Sequence, residues 1–288
     1  MYKRQLFDLT RIFGYPYLKD NGASLGVPIV KELSTIDSKP ARNTVAECYT
    51  EIISDLKNST ELLSGDFNKG KVNRWAAMTL LSRVYLYKGE YNEALTMAEN
   101  AIKGAEKEGY ALWTNEEYPT AWGNDASASN PGEILFEIVN LTTNSPGKES
   151  MGYLNSYNGY DDMCITCSFY QLLKKDPKDV RLKILSFDKK YYAYVNKYQP
   201  QQGENITDAN IPLIRLSEAY LNAAEAAVQT GDNAKAVKYL NSIVQRANPE
   251  NSVEGKTLTL ENVLDERRKE LVAEGHLSLI HISEPTRL

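Results

Sequence analysis

The sequence predicts a mainly α-helical fold, in which TPR-like helix–turn–helix repeats form a scaffold and a long loop-rich insertion carries short strands. Three observations lead there. Ala76–Tyr87, the turn Gly89-Glu90-Tyr91 and Ala94–Ala105 set Leu81, Ser82 and Tyr85, then Ala94, Ala98 and Ala101, where a tetratricopeptide unit places its large, small and aromatic residues. Leu213–Thr230, the turn Gly231-Asp232-Asn233 and Ala234–Arg246 repeat the pattern, with Ala224, Gly231, Ala236 and Leu240 in the corresponding positions. About a hundred residues separate these units, whereas the repeats of a simple solenoid stack in succession.

Taken in order, Leu6–Gly14 reads as the end of an amphipathic helix, apolar at 6, 9, 12 and 13 and stopped by glycine. A loop rich in proline and glycine runs from Tyr15 to Pro40. The next helix starts at Thr44, with Glu47 as its capping-box partner, and ends near Leu63, placing Cys48, Ile52, Leu56 and Leu63 inward. In the insertion, clustered β-branched and aromatic residues predict strands at Glu133–Val139 and Tyr191–Lys197. Leu260–Glu274 begins a further helix with Glu266-Arg267-Arg268-Lys269-Glu270 on its exposed side. The expected organisation is one domain over 6–276, with units near 6–63, 74–105, 213–246 and 260–276 and the insertion at 109–211.

The two ends have a different character. Leu277-Ser278-Leu279-Ile280-His281 can be encoded by a DNA string whose reverse complement, read from a GTG start, gives Met1-Tyr2-Lys3-Arg4-Gln5. The inverted pair resembles a transposon end used to build sequencing libraries. Residues 1–5 and 277–288 are therefore expected to be non-native, with the natural protein extending past both.

Composition excludes some functions. A net charge of −5 leaves no basic excess for neutralising nucleic-acid phosphates. No apolar run approaches the roughly 20 residues of a membrane helix. There is no Gly-rich phosphate loop, G-x-S-x-G elbow or H-E-x-x-H, so no catalytic residue or cofactor is expected. No metal site is expected either. Cys164-Ile165-Thr166-Cys167 lacks two further ligands for zinc, which leaves a local disulfide, a redox pair or inert thiols. Asp161, Asp162 and Asp176 lack the spacing of an EF-hand.

Tyrosine is the unusual count, 19 against 6 Phe and 3 Trp, and it offers a flat apolar face together with a hydroxyl. Trp75, Tyr85, Tyr91, Tyr220 and Tyr239 sit at repeat positions and are expected to pack. Arg215, Glu218 and Glu225 are expected to form a structural ion-pair network. In the insertion, Trp113–Asp125 and Tyr153–Asp162 mix rings with amides and carboxylates, the mixture that holds a sugar by stacking and hydrogen bonds. Trp113, Tyr118, Trp122, Tyr153, Tyr157 and Tyr160, with Asn155 and Asn158, are the candidate ligand-binding residues. The alternative is that these rings pack the loops onto the scaffold.

Several stretches resemble one family in its own order. Leu6–Gly14 with Gly26-Val27-Pro28-Ile29-Val30 resembles an early helix and its loop. Asn73–Leu86 resembles a central helix, and Asn130-Pro131-Gly132-Glu133-Ile134-Leu135-Phe136-Glu137 a strand after an aromatic loop. Ile211–Leu221 with Ala224-Glu225-Ala226, and Glu266–Leu271 with Glu274-Gly275, complete the likeness. On these residues the chain resembles the SusD-like (RagB-type) proteins. From Leu277 onward it departs from the family's aromatic-rich helix, and the family's lipoprotein signal and acylated cysteine do not occur in it. The resemblance implies a non-catalytic lipoprotein exposed on the bacterial outer membrane, held only by a lipid anchor missing here. Such a protein captures an oligosaccharide and delivers it to a SusC-like TonB-dependent transporter. The alternative is a TPR-type module for a protein or peptide ligand, peptide uptake included.

Overall fold

Helices start where a side chain can accept a free first-turn N–H, and several end where glycine lets the chain reverse. The computed structural model describes residues 2–31, 35, 37–68, 70–123, 131–160, 163–188, 192–200 and 205–276. The first helices are α1 (Tyr2–Phe13), α2 (Tyr17–Asp20) and α3 (Val45–Leu62). The expected capping box starts α3: the Glu47 N–H donates to the Thr44 hydroxyl at 3.1 Å, and the Thr44 N–H to the Glu47 carboxylate at 2.8 Å. Asn73 caps α4 (Arg74–Lys88), which ends on Gly89 at φ 84°, and α5 (Tyr91–Lys107) follows. Tyr91, expected in the turn, instead opens the second helix.

The insertion contributes β1 (Ile134–Ile138), α6 (Met151–Leu154), α7 (Cys167–Lys174), β2 (Leu185–Phe187) and β3 (Ala193–Val195). The chain then returns through β4 (Ile211–Arg215), α8 (Leu216–Gln229), α9 (Asn233–Ala247) and α10 (Leu260–Glu270). β1 pairs antiparallel with β4, and β2 with β3. The helix expected from Leu213 thus begins three residues later. Leu213, Ile214 and Leu216 are an apolar run that helix and strand read alike, and pairing with β1 decides for strand. The Leu216 N–H donates to the Glu133 carbonyl at 2.8 Å, so strand passes directly into helix.

α3, α4, α5, α8 and α9 pack in succession, so the second unit stacks on the first and the insertion leaves and rejoins the array between them. Alanines permit the close approach. Ala94, Ala98, Ala101 and Ala105 on α5, and Ala219, Ala223, Ala224, Ala226 and Ala227 on α8, are fully buried. α8 is central and is also covered by α10. It carries Glu218, Asn222 and Glu225 inside the protein, and each is matched from another helix. Arg83 of α4 pairs with Glu218. Asn222 donates to Ser82 Oγ at 2.8 Å and accepts from Arg267 Nη2 at 2.8 Å. Arg267 also pairs with Glu225 at 3.0 Å.

One expectation is met and one changes. Arg215, Glu218 and Glu225 are all in structural ion pairs, each with a partner from another element. The segment 266–270 is not an exposed face, because Glu266, Arg267 and Glu270 are buried. A charged run marks a solvated face only where the interior offers no counter-charge. The segments expected to be non-native lie partly outside the described residues, which exclude Met1 and 277–288. Among the described residues no helix is long and apolar enough to cross a membrane.

The alanine interface gives a direct test. Ala224→Leu forces a branched side chain between α8 and its neighbours and should cost about 1–3 kcal/mol in urea unfolding, whereas the same change at exposed Ala234 should be near neutral.

Candidate functional site

The aromatic loop after α5 faces inward. Trp113 is 5% exposed, Tyr118 0% and Trp122 7%. Their rings meet edge to face, with centroids 5.0 Å apart for Trp113–Trp122 and 5.4 Å for Tyr118–Trp122. Cations occupy the ring faces: Arg246 lies 4.3 Å from the Tyr118 centroid, and Arg215 and Lys197 each lie 4.9 Å from that of Trp122. The Asn115 amide donates to the Arg246 and Ala247 carbonyls at 2.9 Å and so holds the loop against the end of α9.

Beneath the rings is a buried ion network. Glu270 takes Arg246 at 2.6 Å, Arg215 at 3.1 Å and Arg181 at 3.3 Å. Arg215 also pairs with Glu133 and Glu274, Arg181 with Asp179 and Glu266, and Lys197 with Glu274. Burial pushes the Glu266, Glu270 and Glu274 carboxyls up. The neighbouring cations outweigh it, Arg246, Arg215 and Arg181 around Glu270 above all, and hold all three below the usual carboxylate range. Trp113, Tyr118 and Trp122, put forward as ligand contacts, therefore take the packing alternative. At Tyr118 and Trp122 the desolvated guanidinium is attracted by the ring quadrupole, and all three rings are too deeply buried to present a face to a ligand.

The second aromatic stretch has a different setting. Ser150 caps α6 by accepting the Tyr153 N–H at 3.2 Å. The chain then folds back, and the Tyr160 N–H reaches the Tyr153 carbonyl at 3.2 Å. Gly159 permits this approach, since a Cβ there would lie 1.9 Å from the Tyr153 carbonyl oxygen. As a result Tyr160 meets Tyr153 edge-on at 5.0 Å, and Tyr157 tilts against Tyr194 at 6.0 Å. Tyr157 and Tyr160 remain 46% and 45% exposed, Tyr153 is half-buried and Asn158 is exposed. Asn155 is buried and donates to the Met151 carbonyl at 2.9 Å.

A cleft of about 410 Å³ has Met151, Asn155, Met163, Cys164, Thr166 and Arg268 among its walls, the first two flanking Tyr153 in the sequence. Cys164 and Cys167 are exposed free thiols, and Cys48 is buried. Asp176 accepts hydrogen bonds from the Asn248 and Asn251 amides, while Asp161 and Asp162 lie outside the described residues. Among the described residues no group of three or more His, Cys, Asp or Glu could hold a metal ion. Sequence reasoning missed Arg268 and Thr166 as cleft residues, because only the fold brings α10 beside the start of α7.

Comparison with known proteins follows from this geometry. A family model described as starch-binding associating with outer membrane matches residues 4–86, and the SusD family model matches 187–277. A solved chain from Bacteroides vulgatus ATCC 8482 is 98% identical and superposes with a TM-score of 0.93 over 95% of this chain. The chain belongs to the SusD family. A SusD superfamily protein from the same organism is 39% identical, with a TM-score of 0.87 over 95% of this chain. A curated SusD-like protein of Bacteroides ovatus is 23% identical over 85% of it. This SusD family chain spans 61% and 63% of the two solved chains, and 52% of the curated relative.

Two predictions follow. Trp122→Ala should cost about 3–5 kcal/mol in denaturant unfolding, while Tyr157→Ala should stay within about 0.5 kcal/mol as a surface change. The pH dependence has a definite sign. The folded pKa values of Glu266, Glu270 and Glu274 lie below the ordinary 4.5, so their contribution is complete above that value and is lost as pH falls through the folded values. The thermal midpoint should therefore hold down to about pH 5 and decline at more acid pH.

Proposed function

We propose that this chain captures oligosaccharide at the ledge of Tyr153, Tyr157 and Tyr160 and in the cleft, without catalysing a reaction on it. The observation that carries the reading is the two half-exposed rings fixed by a glycine turn, whose segment also contributes Met151 and Asn155 to the wall of a 410 Å³ cleft. A sugar needs both parts: a flat apolar surface for its C–H face and hydrogen-bond partners for its hydroxyls. The cleft lies within the usual size range of small-ligand pockets, about 300–1,000 Å³. Asn158 stands exposed on the turn beside the rings, and Asn155 is among the residues at the cleft wall.

Further support comes from the scaffold. A laminarin-binding SusD-like protein shares the fold, with a TM-score of 0.74 at 20% identity, and is itself a glycan binder on this architecture. In the proposed setting the chain is part of a lipid-anchored protein on the outer-membrane surface, and it passes the bound oligosaccharide to a SusC-like TonB-dependent transporter. A second reading, capture of peptides, draws on one observation. Met151 and Met163 line the cleft, and flexible thioether side chains suit adaptable peptide grooves.

Isothermal titration against a panel of neutral and acidic oligosaccharides and mixed peptides separates the two. The expected result is glycan binding that weakens about ten-fold in Tyr157→Ala and Tyr160→Ala, roughly one lost stacking contact each. Binding of peptides alone, or glycan affinity indifferent to both substitutions, would sink the reading.

A further inference from the structure

We infer that the ligand of this cleft carries an anionic group on its sugar ring, a carboxylate of the uronic-acid kind, which Arg268 binds. The inference rests on the cleft being the glycan site. Arg268 stands apart from the charges around it. On α10, Glu266 pairs with Arg181 and Lys269, Arg267 with Glu225, and Glu270 with three arginines. Arg268 makes no ion pair or hydrogen bond among the described residues, although it is half-buried at the wall of a 410 Å³ cleft. Among the described residues lining that cleft it alone is charged at neutral pH.

A partly desolvated guanidinium at the wall of a cleft is stabilised by an anion that enters it. Its planar fork matches a carboxylate with two parallel hydrogen bonds, which gives orientation as well as attraction. The other walls are compatible with the rest of such a ligand. Thr166 and Asn155 are polar lining residues, although the Thr166 hydroxyl also accepts the Phe169 N–H and the Asn155 amide also donates to the Met151 carbonyl. Arg268 is also preorganised. The residues on either side of it in the sequence, Arg267 and Lys269, are tied to Glu225 and Glu266, so the backbone that carries it is fixed before a ligand arrives.

The test pairs charged and uncharged forms of the same sugars. The chain is titrated with tetramers of galacturonate and of mannuronate, with the methyl ester of each, and with neutral tetramers of starch and β-glucan. The expected result is that at least one acid binds about ten-fold more tightly than its ester. That preference should fall as salt rises, and it should vanish in a folded Arg268→Gln variant. Arg268→Lys, which keeps the charge and loses the fork, should retain part of it. A sulfated galactan tetramer forms a further arm: if it outbinds every carboxylate in an Arg268-dependent way, the uronic-acid assignment is overturned in favour of sulfate. Neutral tetramers or esters binding as well as the acids, or a preference that survives in Arg268→Gln, overturns the inference and leaves glycan capture standing. Failure of every sugar, with peptides binding, removes both.

Discussion

Glu270 is the point on which the arrangement of the insertion depends. Its carboxylate meets arginines from three separate parts of the chain: Arg181 in the single turn Val180–Ile184, Arg215 at the end of β4 and Arg246 on α9. Burying any of these charges alone would cost several kcal/mol, so none is tolerable inside the protein unless the others arrive. The insertion runs for about a hundred residues, and its described strands form two short pairs, one of them with β4 at its end, which is little regular structure to be stable by itself. The network supplies what the strands do not. It links the insertion to α9 and α10, and the cost of desolvation makes that link all-or-none. Whether such a cluster adds net stability over an apolar core is a separate matter. Its evident effect is on specificity, since only one packing satisfies every member.

The same network explains where the aromatic residues went. Tyr118 lies over Arg246 and Trp122 over Arg215 and Lys197, with Trp113 packed against both rings, so the loop that carries them closes the charged interior from one side. It also explains the position of Arg268. Glu266, Arg267 and Glu270 turn inward and Lys269 pairs back to Glu266, which leaves Arg268 as the cation of α10 at the cleft wall. Packing, polarity and site are one arrangement: the buried face of α10 determines what its other face presents.

The scaffold was legible because it is written in local rules. The Thr44–Glu47 box, the Gly89 reversal and the alanine columns of α5 and α8 depend on residues three to eight apart, and each appeared where its spacing placed it. The strand at 211–215 was less legible, because its partner lies some eighty residues upstream, at Ile134–Ile138, and an apolar run alone does not distinguish strand from helix. The charged interior was legible only at Arg215, Glu218 and Glu225. Glu133, Arg181, Arg215, Arg246 and Glu270 share no spacing, and a run such as 266–270 looks solvated until its counter-charges are known to be near. The site fell between these cases. Tyr153, Tyr157 and Tyr160 are surface candidates on local grounds, whereas the cleft is built from segments far apart in sequence.

What separates the two sets of rings in the insertion is therefore not their chemistry or their local pattern, since both stretches mix tyrosine or tryptophan with amides and carboxylates. It is what lies behind them. A ring with a buried guanidinium under its face fills an interior position, and substituting it exposes a charge pair. A ring supported only at its edge by another ring, as Tyr160 is by Tyr153, keeps a face for something outside. Surface rings held in this way are ordered before any ligand comes, by a glycine turn and two ring contacts, and little entropy remains to be lost on binding. The insertion thus uses one residue type for two purposes. The ion network beneath it decides which rings close the core and leaves the others as the part of the molecule that can meet a ligand.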